Sequence, residues 1–113
     1  MKIDSFSFGI ISIGGTTYTS DVIVYPDRVQ SPWLREEEHR PQIIEFADIV
    51  KAEPEILVIG TGYAGVLSVA DQIRNYLTSK GIEVRVEKTR AAVDLYNSLR
   101  ETEKVVAALH VTC

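Results

Sequence analysis

The stretch "ILVIGTGYAG", Ile56 to Gly65, is where residue type and spacing first suggest chemistry. Gly60, Gly62 and Gly65 spell G-x-G-x-x-G directly after four apolar strand formers, with Thr61 inside the loop. In a dinucleotide site such glycines permit a tight turn, a close approach of phosphate and close helix–strand packing. Backbone N–H groups at the following helix start would favour an anion. Glu87 closes a later strand about 20 positions beyond Gly65, where a ribose-binding carboxylate is expected. The same glycines also have a purely structural account, because any strand-to-helix turn gains from residues without side chains. Only one such half is present, whereas a full dinucleotide site is built from two.

A second set of candidates lies in "SPWLREEEHRP", residues 31–41. Arg35 could fork onto a carboxylate or phosphate, Trp33 could stack, and His39 could act as a titratable donor. Alternatively, Trp33 pins the loop to the core while Arg35 and His39 pair with Glu36, Glu37 or Glu38. His110 and Cys113 close the sequence. Two ligands are too few for a structural zinc site, so no metal is assigned to that pair. His110 is instead placed at the C-terminal edge of the sheet, where open α/β proteins bind ligands. The sequence carries no G-x-S-x-G, no H-E-x-x-H and no P-loop lysine, so no catalytic residue is assigned.

The elements that must position these residues follow from hydrophobic period and turn chemistry. Residues 5–30 read as an antiparallel β-meander, with Gly14-Gly15 as a hairpin turn, a bulge at Gly9 and a turn at "PDRV". Residues 31–41 have no regular period and read as a long loop. "PQIIEFADIVKAEP" predicts a helix burying Ile43, Phe46, Ala47 and Val50. "EILVIG" predicts a strand buried on both faces. "GVLSVADQIRNYLTSKG" predicts a helix opening directly from the glycine loop, with Val66, Val69, Ala70, Ile73, Tyr76 and Leu77 on one stripe. "IEVRVE" and "KVVAALHVTC" predict two more strands. "TRAAVDLYNSLRE" between them predicts a helix capped by Thr89 and burying Ala92, Leu95, Tyr96 and Leu99. The expected fold is α/β: a single three-layer domain over 1–113, with a mixed central sheet, an antiparallel meander and then an αβαβαβ half.

With 113 residues, 45% of them hydrophobic and 25% charged, the chain has the make-up of one globular domain. A net charge of −4 argues against nucleic acid as a partner. No apolar run approaches the ~20 residues that span a bilayer, so no membrane insertion is expected. The single cysteine leaves no internal disulfide, and a cytoplasmic location is expected.

Taken in order, "FGIISIGGTTYTSDVIVYPD", Trp33-x-Arg35 with His39, "ILVIGTGYAG", "GIEVRVEKTRAAVDLYNSL" and "VVAALHVTC" resemble a small family of unknown biochemical function. Its members occur in archaea, bacteria and eukaryotes. They include the adipogenesis-associated protein and a mitochondrial assembly factor for respiratory complex I. Arg28 departs from the glycine that this family often has in its turn. The resemblance implies the same three-layer fold, with no catalytic residue or cofactor to carry over. The leading reading is a non-catalytic binding or assembly module. Its pocket for an anion or small ligand lies at the Gly60–Gly65 loop and is bordered by Trp33, Arg35, His39, Glu87 and His110. The competing reading is a small nucleotide- or dinucleotide-binding enzyme using that loop. The cofactor is unknown, and the partner is either an unidentified protein or a small anion. Tyr18, Tyr25 and Trp33 are taken as surface apolar residues that could support a homodimer.

Overall fold

A computed structural model describes all residues from Met1 to Cys113. Strands β1 (Ile3–Ser7), β2 (Ile10–Ile13) and β3 (Thr16–Tyr18) form a small antiparallel sheet in that order. A second sheet combines β4 (Val22–Val24), β5 (Val29–Gln30), β6 (Ile56–Gly60), β7 (Glu83–Glu87) and β8 (Val105–Leu109). Its order is β5-β4-β8-β6-β7. β6 runs parallel to β7 and β8, whereas β4 is antiparallel to β8. Three helices complete the chain: α1 (Ala47–Lys51), α2 (Asp71–Ser79) and α3 (Thr89–Leu99). None is long and apolar enough to cross a membrane.

The layers follow from the period-2 alternation of the central strands. Val22, Val24, Val58, Ala107 and Leu109 face one way, toward Ile11 and Ile13 of the small sheet and Ala92 and Tyr96 of α3. Ile23, Leu57, Ile59, Val106 and Ala108 face the other way, toward Trp33, Phe46, Ile49, Ile73 and Leu77. Strands β6 and β8 are buried along their whole length, as their near-continuous apolar sequences require. The connection through α2 covers one face and that through α3 the other. The strand order therefore reverses between β6 and β8, and their C-terminal ends form the switch-point crevice of the sheet.

Several local expectations are corrected. The phase change at Gly9 is a hairpin turn, not a bulge. Ser7 pairs with Ile10 around Phe8-Gly9, Gly9 has φ +76°, and the register slip lies between Ile3 and Ser5. The meander is divided between the two sheets. Its Gly14-Gly15 turn does join β2 to β3, with φ +56° and +84°. The helix expected from Pro41 begins as a 3-10 turn, Ile43–Phe46, and only then becomes α1. That tighter winding rotates the stripe, so Ile49 is buried and Ala47 is exposed.

The largest correction concerns the glycine loop, which does not open onto a helix. α2 begins at Asp71, and residues 61–70 are irregular. Their amides are engaged off the helical pattern: Val66 N–H donates to Cys113 and Ser68 N–H to His39, and Leu67 N–H turns back to Thr61. A helical ladder cannot form from donors already engaged elsewhere. Val66, expected on the buried stripe, is accordingly exposed. Tyr25 and Trp33 are buried, so neither is a surface residue available for self-association. Arg28, in the turn after β4, lays its guanidinium 4.0 Å from the centre of the Tyr25 ring.

Candidate functional site

At the switch-point crevice the glycines have a visible purpose, which is close approach of other parts of the chain: residues 110–113 at Gly62, Leu109 and Thr89 at Gly60, and the Lys88 side chain at Gly65. Gly62 has φ +108°. A Cβ there would collide with the Cys113 carbonyl carbon and stand 2.8 Å from His110 Cδ2. A Cβ on Gly60 would lie 2.8 Å from both Leu109 Cδ2 and Thr89 Oγ1. Tyr63 N–H donates to the Thr112 carbonyl at 2.7 Å, and Ala64 and Val66 N–H both donate to the Cys113 carbonyl. Thr61 N–H donates to the Glu87 carbonyl at 2.9 Å. Gly62 N–H donates at 2.8 Å to the Thr89 hydroxyl, which itself donates to the His110 carbonyl at 2.6 Å. Thr89 is therefore a buried bridge between α3, the loop and β8, not the expected helix cap, which falls at Lys88. Donors that would cradle a pyrophosphate are engaged within the chain, by main-chain oxygens of Glu87, Thr112 and Cys113 and by the Thr89 hydroxyl. Glu87 contributes its carbonyl to this arrangement, and its side chain is exposed.

What this packing holds in place is a charged corner on the face opposite α3. Val22 pairs with Leu109 across β4 and β8, so one step further along Asp21 comes opposite His110. Asp21 Oδ2 lies 2.8 Å from His110 Nδ1, and Oδ1 accepts Val111 N–H at 2.8 Å. The same carboxylate pairs with the Arg35 guanidinium. His110 is fully buried, and the Arg35 and Asp21 side chains are 4% and 13% exposed. Burial alone would raise the Asp21 carboxyl. Hydrogen bonds from His110, Arg35 and the Val111 amide outweigh that effect and hold it down at about 2, against an ordinary 3.8. An ionised carboxylate only accepts, so His110 carries a proton on Nδ1, and in the neutral ring the lone pair is then at Nε2. The nearest polar contact of that Nε2 is the Thr112 hydroxyl, at a long 3.5 Å.

Arg35 also braces the loop 31–42. Its Nε donates to the Glu38 carbonyl at 3.0 Å and its terminal nitrogen to the Trp33 carbonyl at 3.3 Å. Its guanidinium carbon lies over the Trp33 ring, 4.3 Å from the ring centre. The Trp33 ring packs edge-on against Phe46, and its backbone N–H donates to the Asp21 carbonyl at 2.8 Å. The loop is thereby held from both ends, since Ser68 N–H takes the His39 carbonyl at 2.9 Å. His39 then stands edge-on to His110, with ring centres 5.1 Å apart. Its Nε2 and the Trp33 Nε1 are buried without a partner in the protein. Beyond the loop lies a cleft of about 510 Å³ lined by Arg40, Gln42, Ser68, Gln72 and Ile73.

Of the residues singled out in the sequence, Trp33, Arg35, His39 and His110 converge here, and Gly62 abuts His110. Arg35 pairs with Asp21, not with Glu36, Glu37 or Glu38. Asp21, Glu38 and Thr89 have no individual signal as site residues. Asp21 could have been found only from the β4–β8 pairing, which places it on the same face as Ile23. Both histidines of the chain meet at one corner although they are far apart in sequence.

Comparison with known proteins fits this architecture. A family described as "Protein of unknown function (DUF498/DUF598)" matches residues 3–110. The chain belongs to the DUF498/DUF598 family. The fold is shared with the crystal structure of the conserved hypothetical protein PH1505 from Pyrococcus horikoshii OT3, at 26% identity and a TM-score of 0.90 over 100% of both chains. It is similar to MT938 at 27% identity and a TM-score of 0.85, over 99% of this chain and 98% of that one. A Bordetella pertussis protein described as a Mth938-like domain shares the fold at 19% identity and a TM-score of 0.70, over 97% and 85% of the two chains. In this DUF498/DUF598 member the glycine motif lies at the C-terminal edge of the five-stranded sheet and is closed by its own chain.

Proposed function

We propose that the protein is a non-catalytic binding module. Its small-ligand site is the corner formed by Trp33, His39 and His110 beside the Gly60–Gly65 loop, with Asp21 and Arg35 as its rigid frame. One observation carries this reading: His39 Nε2 is buried and unpartnered beside a His110 whose tautomer Asp21 sets. Buried polar atoms are ordinarily satisfied, so an unpartnered imidazole nitrogen at a sheet switch point supports a ligand there. Arg35 is spent on Asp21, which moves the recognition role expected of it onto the two histidines. The loop supplies close packing and the position of His110.

The test is a titration of the 15N-labelled chain, in the presence of a chelator, with nucleotides, dinucleotides, phosphate and small carboxylates. Saturable shifts clustered at the Trp33 indole, His39, Ser68 and His110 are expected with at least one class. Shifts centred on the Gly60–Gly65 amides with NAD or FAD alone would replace this reading with the nucleotide-binding one.

A further inference from the structure

We propose that this corner is a divalent transition-metal site, with Glu38, His39 and His110 as its three protein ligands. The inference deepens the reading above and rests on it. One ligand atom from each of the three residues lies within 4.8 Å of the other two. Two imidazoles and one carboxylate are a donor set suited to Zn²⁺ or Fe²⁺, and a site with three protein ligands leaves a position open for water or a ligand. Metal–ligand bonds near 2.1 Å require these atoms to draw in by roughly an ångström. Glu38 is exposed and at the rim, so its side chain can supply most of that movement.

The surroundings are those a metal site needs. Asp21 holds His110 Nδ1–H, fixing the ring and leaving Nε2 as the donor nitrogen, as carboxylates do behind metal-bound histidines. His39 Nε2 has no competing partner. The Asp21 and Arg35 charges offset one another, leaving the Glu38 carboxylate to set the local field. Arg35 and Ser68 anchor the Glu38 and His39 carbonyls, so the two consecutive ligands sit on a braced turn. Glu38 stands on the solvent side, giving an entry path.

The test is calorimetric titration of the untagged, chelator-stripped chain with ZnCl₂, and absorption spectroscopy with CoCl₂. One saturable equivalent is expected. His39→Ala should weaken it by more than about 100-fold, and Asp21→Asn, which is not a ligand and acts through His110 and the Arg35 brace, by about 10- to 100-fold. Glu38→Gln should weaken binding as well, and Cys113→Ser should leave it unchanged. His39 and Glu38 are not core residues, so their variants should keep the metal-free unfolding midpoint and confine the effect to binding. Absence of saturable binding, binding undiminished in His39→Ala, or a thiolate–cobalt band lost in Cys113→Ser would each overturn the site. If zinc fails while an organic ligand shifts the corner resonances, the metal falls and the binding site stands. If both are silent, both fall.

Discussion

Asp21 and His110 face each other across the β4–β8 pair, carboxylate to Nδ1 at 2.8 Å. The residues on either side of His110 show how much depends on that contact. Thr89 holds its carbonyl, Asp21 also takes the next amide, and Gly62 leaves the room for its ring. The candidate site continues this buried arrangement through His39 to the exposed Glu38.

Stability should fall in acid because of Asp21. Its folded-state pKa, about 2, is below its ordinary 3.8. A depressed carboxyl adds stability that is complete above the unfolded value and disappears as pH falls through the folded one. The window is therefore roughly pH 4 down to pH 2, and the loss is about 2 kcal/mol. Urea midpoints measured across that window should show the decline, and Asp21→Asn should flatten it. At neutral pH, Asp21→Ala should cost about 3–5 kcal/mol, because it leaves the Arg35 charge buried without its partner.

Gly62→Ala should be far more damaging than Gly81→Ala. Both positions have positive φ, but a Cβ on Gly62 meets Cys113 and His110, whereas one on Gly81 meets nothing within 4 Å. Backbone strain alone predicts about 1–2 kcal/mol at Gly81. Displacing residues 110–113 brings the Gly62 cost to roughly 2–6 kcal/mol. Thermal unfolding of the two variants side by side checks the contrast. Equal losses would show that the loop is not packed against that segment.

Thr89→Val should orphan two buried groups, the Gly62 N–H and the His110 carbonyl. Each costs about 1–3 kcal/mol when left unpaired, while Thr89→Ser keeps both bonds and should lose far less. Amide hydrogen exchange at Gly62 reports this directly. It should accelerate in the valine variant and stay slow in the serine one.

Arg35→Lys keeps the charge but loses the planar fork and the stack on Trp33. A lysine cannot reach Asp21 and the Trp33 and Glu38 carbonyls together, so a loss of about 1–2 kcal/mol is expected. Trp33 is the sole tryptophan, and its emission should shift to the red as the loop loosens. Unchanged emission would show that Arg35 does not brace the loop.

The identity and order of most elements are legible in the residues themselves. "EILVIG" and "KVVAAL" are apolar throughout because β6 and β8 are covered on both faces, and the alternation of "IEVRVE" matches an edge strand. Gly14-Gly15 announces its hairpin through positive φ. These features depend on local sterics and on which faces must leave water, and both are written in the order of side chains.

The glycine loop shows where that legibility stops. Its spelling marks close approach correctly, but the sequence cannot say what approaches. Only the pairing of β8 beside β6 reveals that residues 110–113 fill the space where a phosphate was expected. The helix after the loop starts only at Asp71 for the same reason, because the Val66 and Ser68 amides find carbonyls in other segments. Trp33, Arg35 and His39 carried a recognisable pattern of types, while Asp21 carried none, since cross-strand contact depends on register and not on spacing along the chain. The sequence by itself determined the layers and the need for glycine at Gly60 and Gly62. The tertiary structure decided that these glycines hold His110 beside Asp21 and His39, because long-range strand pairing and packing, not local preference, bring distant residues within hydrogen-bond reach.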